Sequence, residues 1–279
     1  MAEAVAAALR RAGNPGRSGH ALSLRSARDL FLARERLAEL LGGRDSSRFV
    51  FTGNATAALN QAIKGTLRPG DHVVTTSVEH NSVMRPLRRM EDAGVRVTVV
   101  PAGADGVVEA RAVIAAFRKA TRMVVLVHAS NVTGALQPVE AVVAAARSRG
   151  VLTLVDAAQT AGTVPIDLSS LPVDLLAASG HKGLLGPQGT GFLYVREGVD
   201  VVPLIEGGTG SRSESDHQPE FYPDALESGT QNSVGLAGLA VSLAWILRRG
   251  VGAIRRKEAD LVEELLEGLS GIGGVRVLG

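Results

Sequence analysis

Short β-branched runs that alternate with stretches of helical period leave this chain few architectures. Seven runs read as strands: Phe49–Thr52, His72–Val78, Arg96–Val100, Met123–His128, Val151–Val155, Leu175–Ala178 and Gly191–Val195. Between them lie amphipathic segments at Ala55–Gly65, Val83–Ala93, Arg111–Ala120 and Val139–Arg149. Strand, helix, strand in that rhythm builds βαβ units, because parallel neighbours need a long crossover and a helix provides it. The expected fold is therefore α/β, a mainly parallel seven-stranded sheet with helices on both faces. Glu206–Asn232 is polar and rich in Gly, Ser and Pro, too long for an idle connection, and reads as a functional loop. A last helical pattern spans Gly235–Leu269 and should break near Gly250.

With 279 residues, 45% of them hydrophobic, the chain can bury one large core. No uninterrupted apolar run approaches the ~20 residues of a bilayer span, so neither a membrane partner nor a membrane location is expected, and the chain reads as cytoplasmic. Basic residues are scattered among acids at a formal net charge of +2, and aromatics make up 3%. A nucleic-acid face needs a basic stripe or stacking rings, so nucleic acid is not an expected partner. Cysteine is absent, which removes disulfides, thiolate metal sites and a cysteine nucleophile from this chain. The first 36 residues are rich in Ala and Arg and poor in acid, a composition shared by transit peptides and surface helices; their internal periodicity favours helices.

In an open parallel sheet, ligands bind beyond the carboxyl ends of the strands. Reading only those ends collects most of the chemistry. They hold Thr52-Gly53-Asn54-Ala55-Thr56, Glu79-His80-Asn81, Ala129-Ser130-Asn131, Asp156-Ala157-Ala158-Gln159 and Ser179-Gly180-His181-Lys182. Only four of the 30 basic residues are lysines, so a lysine among Gly180, Gly183, Gly186 and Gly189 stands out. A lysine that forms a Schiff base needs a rigid mount and close backbone approach, which such a turn gives. Taken alone, Lys182 could equally be an exposed residue of a glycine-rich turn. Asp156 ends an apolar run, where a buried carboxylate can hold a proton on a pyridine nitrogen. It could also cap a helix, with Gln159 completing a capping box. No cluster of His and carboxylates accompanies it to make a metal site, so no metal is expected. The Ala55-Thr56 turn opens a helix whose N-terminus suits a phosphate, though a plain cap reads the same way. His80 could be a general base, a ring platform or a core histidine.

Taken together, Asp156-Ala157-Ala158-Gln159, Ser179-Gly180-His181-Lys182-Gly183 and Gly186-Pro187-Gln188-Gly189 resemble the class V aminotransferase superfamily, and within it the cysteine desulfurases. Gly13-Asn14-Pro15, Glu79-His80-Asn81, Asn131 and Glu227-Ser228-Gly229-Thr230 follow in the family's order, so the resemblance covers almost the whole chain. It implies a fold type I transferase large domain binding pyridoxal 5'-phosphate (PLP). Lys182 would carry the cofactor as a Schiff base and shuttle the substrate Cα proton, with His80 stacked on the ring as the second catalytic residue. Asp156 would pair with the pyridine nitrogen, Gln159 would bond the phenolic oxygen, and Asn131 would lie near that oxygen and the substrate. Ala55, Thr56, Ser179 and His181 would hold the phosphate. Thr230 would reach the phosphate of a neighbouring subunit, making the working form a homodimer with shared sites.

The implied substrate is a small amino acid, L-cysteine converted to L-alanine with sulfur passed to an acceptor protein. Other class V activities (selenocysteine lyase, aminotransferase, epimerase) share these residues, and a non-catalytic PLP-binding remnant is the alternative of another kind. A dinucleotide oxidoreductase fails for want of Gly-x-Gly-x-x-Gly after a strand. Two departures from the family matter. Its smaller C-terminal domain, with a substrate-carboxylate arginine and a sulfur-accepting cysteine, has no counterpart here, and an N-terminal Asn-Ala-Ala-Thr-like run is also missing. The expected organisation is a large domain over residues 1–250, then over 251–279 a linking helix and the start of the small domain, in a chain shortened at both ends. Arg17, in the N-terminal loop, is the candidate for reaching a substrate carboxylate. Without a cysteine this chain is expected to be inactive in desulfuration.

Overall fold

The computed structural model describes residues 1–11, 13, 20–212, 214–275 and 277. The chain opens with two helices, α1 (Ala2–Arg10) and α2 (Ala21–Leu41). The sheet follows as β1 (Phe49–Thr52), β2 (His72–Thr76), β3 (Arg96–Val100), β4 (Thr121–Val127), β5 (Leu152–Asp156), β6 (Leu175–Ser179) and β7 (Gly191–Val195). Helices α3 (Ala55–Thr66), α4 (Asn81–Asp92), α5 (Ala110–Ala115) and α6 (Val139–Ser148) connect the early strands, and α7 (Ser233–Arg249) and α8 (Val251–Ser270) close the chain.

The seven strands form one sheet in the order β1-β7-β6-β5-β4-β2-β3. The run from β3 to β6 is parallel, while β7 is antiparallel to both β6 and β1. Period-two burial shows why this is a sandwich. On β4, Val124 and Leu126 face one core with α2, α6 and α7; Met123 and Val125 face the other with α3 and α4. Leu176 and Ala178 on β6 alternate in the same way with Leu175 and Ala177. A strand buried on both faces reads as a continuous apolar run rather than an alternating one, as these do.

Strand order reverses between β4 and β2, the crevice in which open sheets of this kind bind ligands. Here β2 pairs with β4 only from His72 to Val74, with an irregularity after His72, whereas it pairs with β3 along its whole length. Beyond Val74 the two central strands part.

Most strand ends fall within two residues of those expected from the sequence. The fifth helix is shorter than expected, because Thr121 turns the chain into β4 by accepting the Arg118 N–H on its Oγ1 at 2.6 Å. The break at Gly250 falls where it was expected, with φ of 80°. The first 36 residues are largely helical, as their periodicity indicated. Asn14, Pro15, Gly16 and Arg17 lie outside the described residues. So do Arg276 and Leu278 near the end of the chain; Gly274 forms a turn. Among the described residues, no single helix is long and apolar enough to cross a membrane.

Candidate active site

The ends of β1, β2, β4, β5 and β6, the first two opening into the N-termini of α3 and α4, converge on a cavity of about 310 Å³. Its lining brings together Lys182, Asp156, His80, Gln159, Asn131, Ala55, Thr56, Ser179 and His181, nine of the ten residues singled out from the sequence.

At one end, Asn54 caps α3 by accepting the Ala57 N–H on its side chain at 2.9 Å. The Ala55 N–H donates to Ser179 Oγ at 2.9 Å, so β6 and the first turn of α3 are fastened at the point where an anion would sit. Thr56 Oγ1 lies 2.7 Å from Ser82 Oγ, which is 2.9 Å from His80 Nδ1. The Ser82 N–H also donates to Nδ1 at 3.1 Å. His80 thereby caps α4, and this network assigns the neutral ring's proton to Nε2.

Asp156 is 3% exposed. Its Oδ1 accepts the Ala158 N–H at 2.9 Å in a turn, and no helix follows, so the helix-cap alternative does not describe it. Burial pushes its carboxyl above the usual range, with the Ala158 N–H, Lys182 and His80 pulling it back. Lys182 is partly buried on the next turn, and the two turns touch backbone to backbone. A Cβ on Gly162 would strike the Gly183 carbonyl, and one on Gly183 would come within 2.6 Å of the Ala161 carbonyl.

Thr230 is the exception. It is exposed and lines a separate, largely apolar cavity of about 540 Å³ with Phe51, Gly53, Leu204 and Ile205. Its segment is held from below by Glu227, which is buried and accepts two guanidinium bonds from Arg34, at 2.8 and 3.0 Å, and the Phe51 N–H at 2.5 Å. It is held from above by Gln218. The Gln218 amide oxygen accepts the Gly207 N–H, and its nitrogen reaches the Asp224 and Ala225 carbonyls and Ser228 Oγ.

Two polar residues beside the site were given no role from the sequence, although Glu79 stands in a segment quoted for it. Ser82 links His80 to Thr56, and only its place one residue after a helix start hinted at this. Glu79 is half-buried, with its carboxyl turned inward; Oε1 accepts from Thr76 Oγ1 at 2.7 Å and from the Val127 N–H at 2.9 Å. Burial pushes its pKa up to about 8, with Asp156 adding to the rise and the two hydrogen bonds opposing it. Among the described residues, no group of three or more His, Cys, Asp or Glu side chains converges as a metal site would require.

The family described as Aminotransferase class-V matches residues 2–279. The chain belongs to the class-V aminotransferase family. Among members of this family, it is 38% identical over 271 residues to a probable cysteine desulfurase of Methanothermobacter thermautotrophicus, covering 95% of this chain and 68% of that one. It is 38% identical over 206 residues to the cysteine desulfurase IscS of Serratia proteamaculans, covering 72% and 50%. The apo cysteine desulfurase of Thermococcus onnurineus NA1 superposes with a TM-score of 0.86 at 33% identity, covering 96% of this chain and 70% of that structure. The cysteine desulfurase CsdA of Escherichia coli does so with 0.81 at 30% identity, covering 95% and 70%. The chain thus spans about two thirds of some class-V relatives and half of others, and its sheet is the large-domain sheet of fold type I transferases.

Proposed function

We propose that this chain is the PLP-binding part of a cysteine desulfurase-type enzyme acting on a small amino acid, with Lys182 as the covalent anchor. The observation that carries this is the placement of the buried Asp156 at the end of β5 and of Lys182 just past the end of the neighbouring β6, both lining one cavity. The residues present fit PLP. Asp156 takes a single N–H from the protein and no cation in direct contact among the described residues, which suits the protonated nitrogen of a ring. The α3 N-terminus and Ser179 suit the phosphate, and about 310 Å³ matches a small cofactor site.

When bound, PLP supplies an electron sink that weakens bonds to the substrate Cα. The protein's own groups do the rest. Asp156 keeps the proton at the pyridine nitrogen, and burial makes that pairing favourable because each charge then lacks water to compete for it. Lys182 Nζ moves the proton at the substrate Cα. The His80 ring, fixed through Nδ1 by Ser82, would hold the cofactor ring. Gln159 and Asn131 would hold the phenolic oxygen, and Ala55, Thr56, Ser179 and His181 the phosphate.

Thr230 serves the neighbouring subunit of a homodimer. Its exposure beside an apolar cavity rimmed by Leu204 and Ile205, the latter 72% exposed, supports that reading. Residues 1–250 form the large domain, and α8, which buries none of its residues, begins the connection to a second one. Sulfur release to an acceptor protein, in the cytoplasm, belongs to a form that includes a cysteine.

The test is reconstitution with PLP. Visible imine absorption should appear, and borohydride should fix the cofactor to the peptide containing Lys182, as read by mass spectrometry. An unchanged spectrum in Lys182→Ala would overturn the assignment.

A further inference from the structure

The seam between β2 and β4 holds a group that the proposed chemistry leaves unused. Ladder pairing between these strands ends at Val74 and Val124, so the Val127 N–H has no acceptor on β2. Glu79 Oε1 takes that N–H at 2.9 Å and, on its other side, the Thr76 hydroxyl at 2.7 Å. One side chain thus closes the gap in the middle of the sheet. Val127 is the register partner of Asp156, and His80 is the next residue after Glu79. The bridge therefore joins the turn carrying His80 to the strand lying beside Asp156.

The remaining oxygen, Oε2, is buried without a partner among the described residues. The charged group that bears on it is Asp156 from β5, itself acted on by Lys182 and His80. A buried anion with an unpaired oxygen, next to a second carboxylate, is far costlier than the neutral acid, so one of the two keeps its proton. The Lys182 ammonium bears on Asp156, and no cation bears on Glu79 among the described residues, so Glu79 is the one that stays neutral.

We propose that Glu79 is a positioning residue of this site, a neutral carboxyl that bridges the parted strands β2 and β4 and fixes His80 relative to Asp156. This rests on the reading of the Lys182–Asp156 cavity as the PLP site. It leaves Asp156 as the only anion facing the ring nitrogen. The elevation of the Glu79 pKa to about 8 accords with it.

Two variants separate the parts of this claim. Glu79→Gln keeps both accepted hydrogen bonds and cannot ionise; Glu79→Leu leaves the Val127 N–H unpaired. In the cofactor-free protein, an acid whose pKa is raised by folding stabilises fully below the unfolded value and loses that stabilisation as pH rises through the folded one. The wild-type denaturation midpoint should therefore fall between pH 4.5 and about 8, and the Glu79→Gln curve should be flatter over that window. With PLP added, Glu79→Gln should bind within about threefold of wild type and Glu79→Leu about tenfold more weakly, with a displaced absorption maximum. Superimposed midpoint curves for wild type and Glu79→Gln would overturn the neutral acid. Loss of PLP by Glu79→Gln would do the same, since the site would then need the charge. Unweakened binding by Glu79→Leu would overturn the bridge. If wild type itself bound no PLP, the functional reading would fail, while the cofactor-free comparison would still judge the protonation of Glu79.

Discussion

Asp156 shows how a single residue acquires its chemistry from its place. A carboxyl at the end of an apolar strand, 3% exposed and given only one N–H, is held above its ordinary pKa by burial, against the pull of that N–H and of Lys182. Asp156→Asn preserves the shape and removes the charge. We expect it to retain PLP but to slow exchange of the substrate Cα proton by about a hundredfold or more, since the ring nitrogen loses the partner that keeps it protonated. Deuterium incorporation from solvent into L-alanine measures this in the present chain, without sulfur chemistry. At Ser179 the expectation is different. Ser179→Ala leaves the Ala55 N–H without its acceptor, which should cost about 1 kcal/mol of stability and weaken PLP binding, as read by denaturant titration with and without PLP.

At the scale of elements, the strands were legible because each is an apolar run closed by small or polar residues, and all five of the site's segments hang from their ends. Helix starts were legible for the same reason: Asn54 and Asn232 precede their helices and cap them through their side chains. What could not be read was contact across distance. Nothing in Val78-Glu79-His80 says that the glutamate turns inward, because that depends on β2 leaving β4, a property of register and not of local pattern. The length of Glu206–Asn232 signalled function, but its fastening through Gln218 to residues ten positions later did not appear in composition. Gln218→Ala removes the amide that ties Gly207 to Ser228. It should raise the rate of proteolytic cleavage within 206–219 several-fold while leaving the global denaturation midpoint nearly unchanged, since no described residue of 206–219 belongs to either core.

For the whole molecule, the one displaced prediction is informative. Thr230 lies apart from the cavity that holds the other nine residues, where a dimer-shared ligand would have to lie. Mixing Lys182→Ala with Thr230→Ala chains should restore roughly a quarter of wild-type Cα proton exchange, since random pairing gives half heterodimers with one intact site in two. No recovery in a confirmed mixed dimer would place Thr230 outside the shared site. The 279-residue chain should also fail to release sulfide from L-cysteine catalytically unless an external thiol is added, because none of its residues is a cysteine. Finally, the contact between Gly162 and Gly183 sets a gauge length. The turn that follows Asp156 rests main chain on main chain against the turn that carries Lys182, and neither glycine has room for a side chain there. A single added methyl group at Gly162 or Gly183 would wedge these two turns apart.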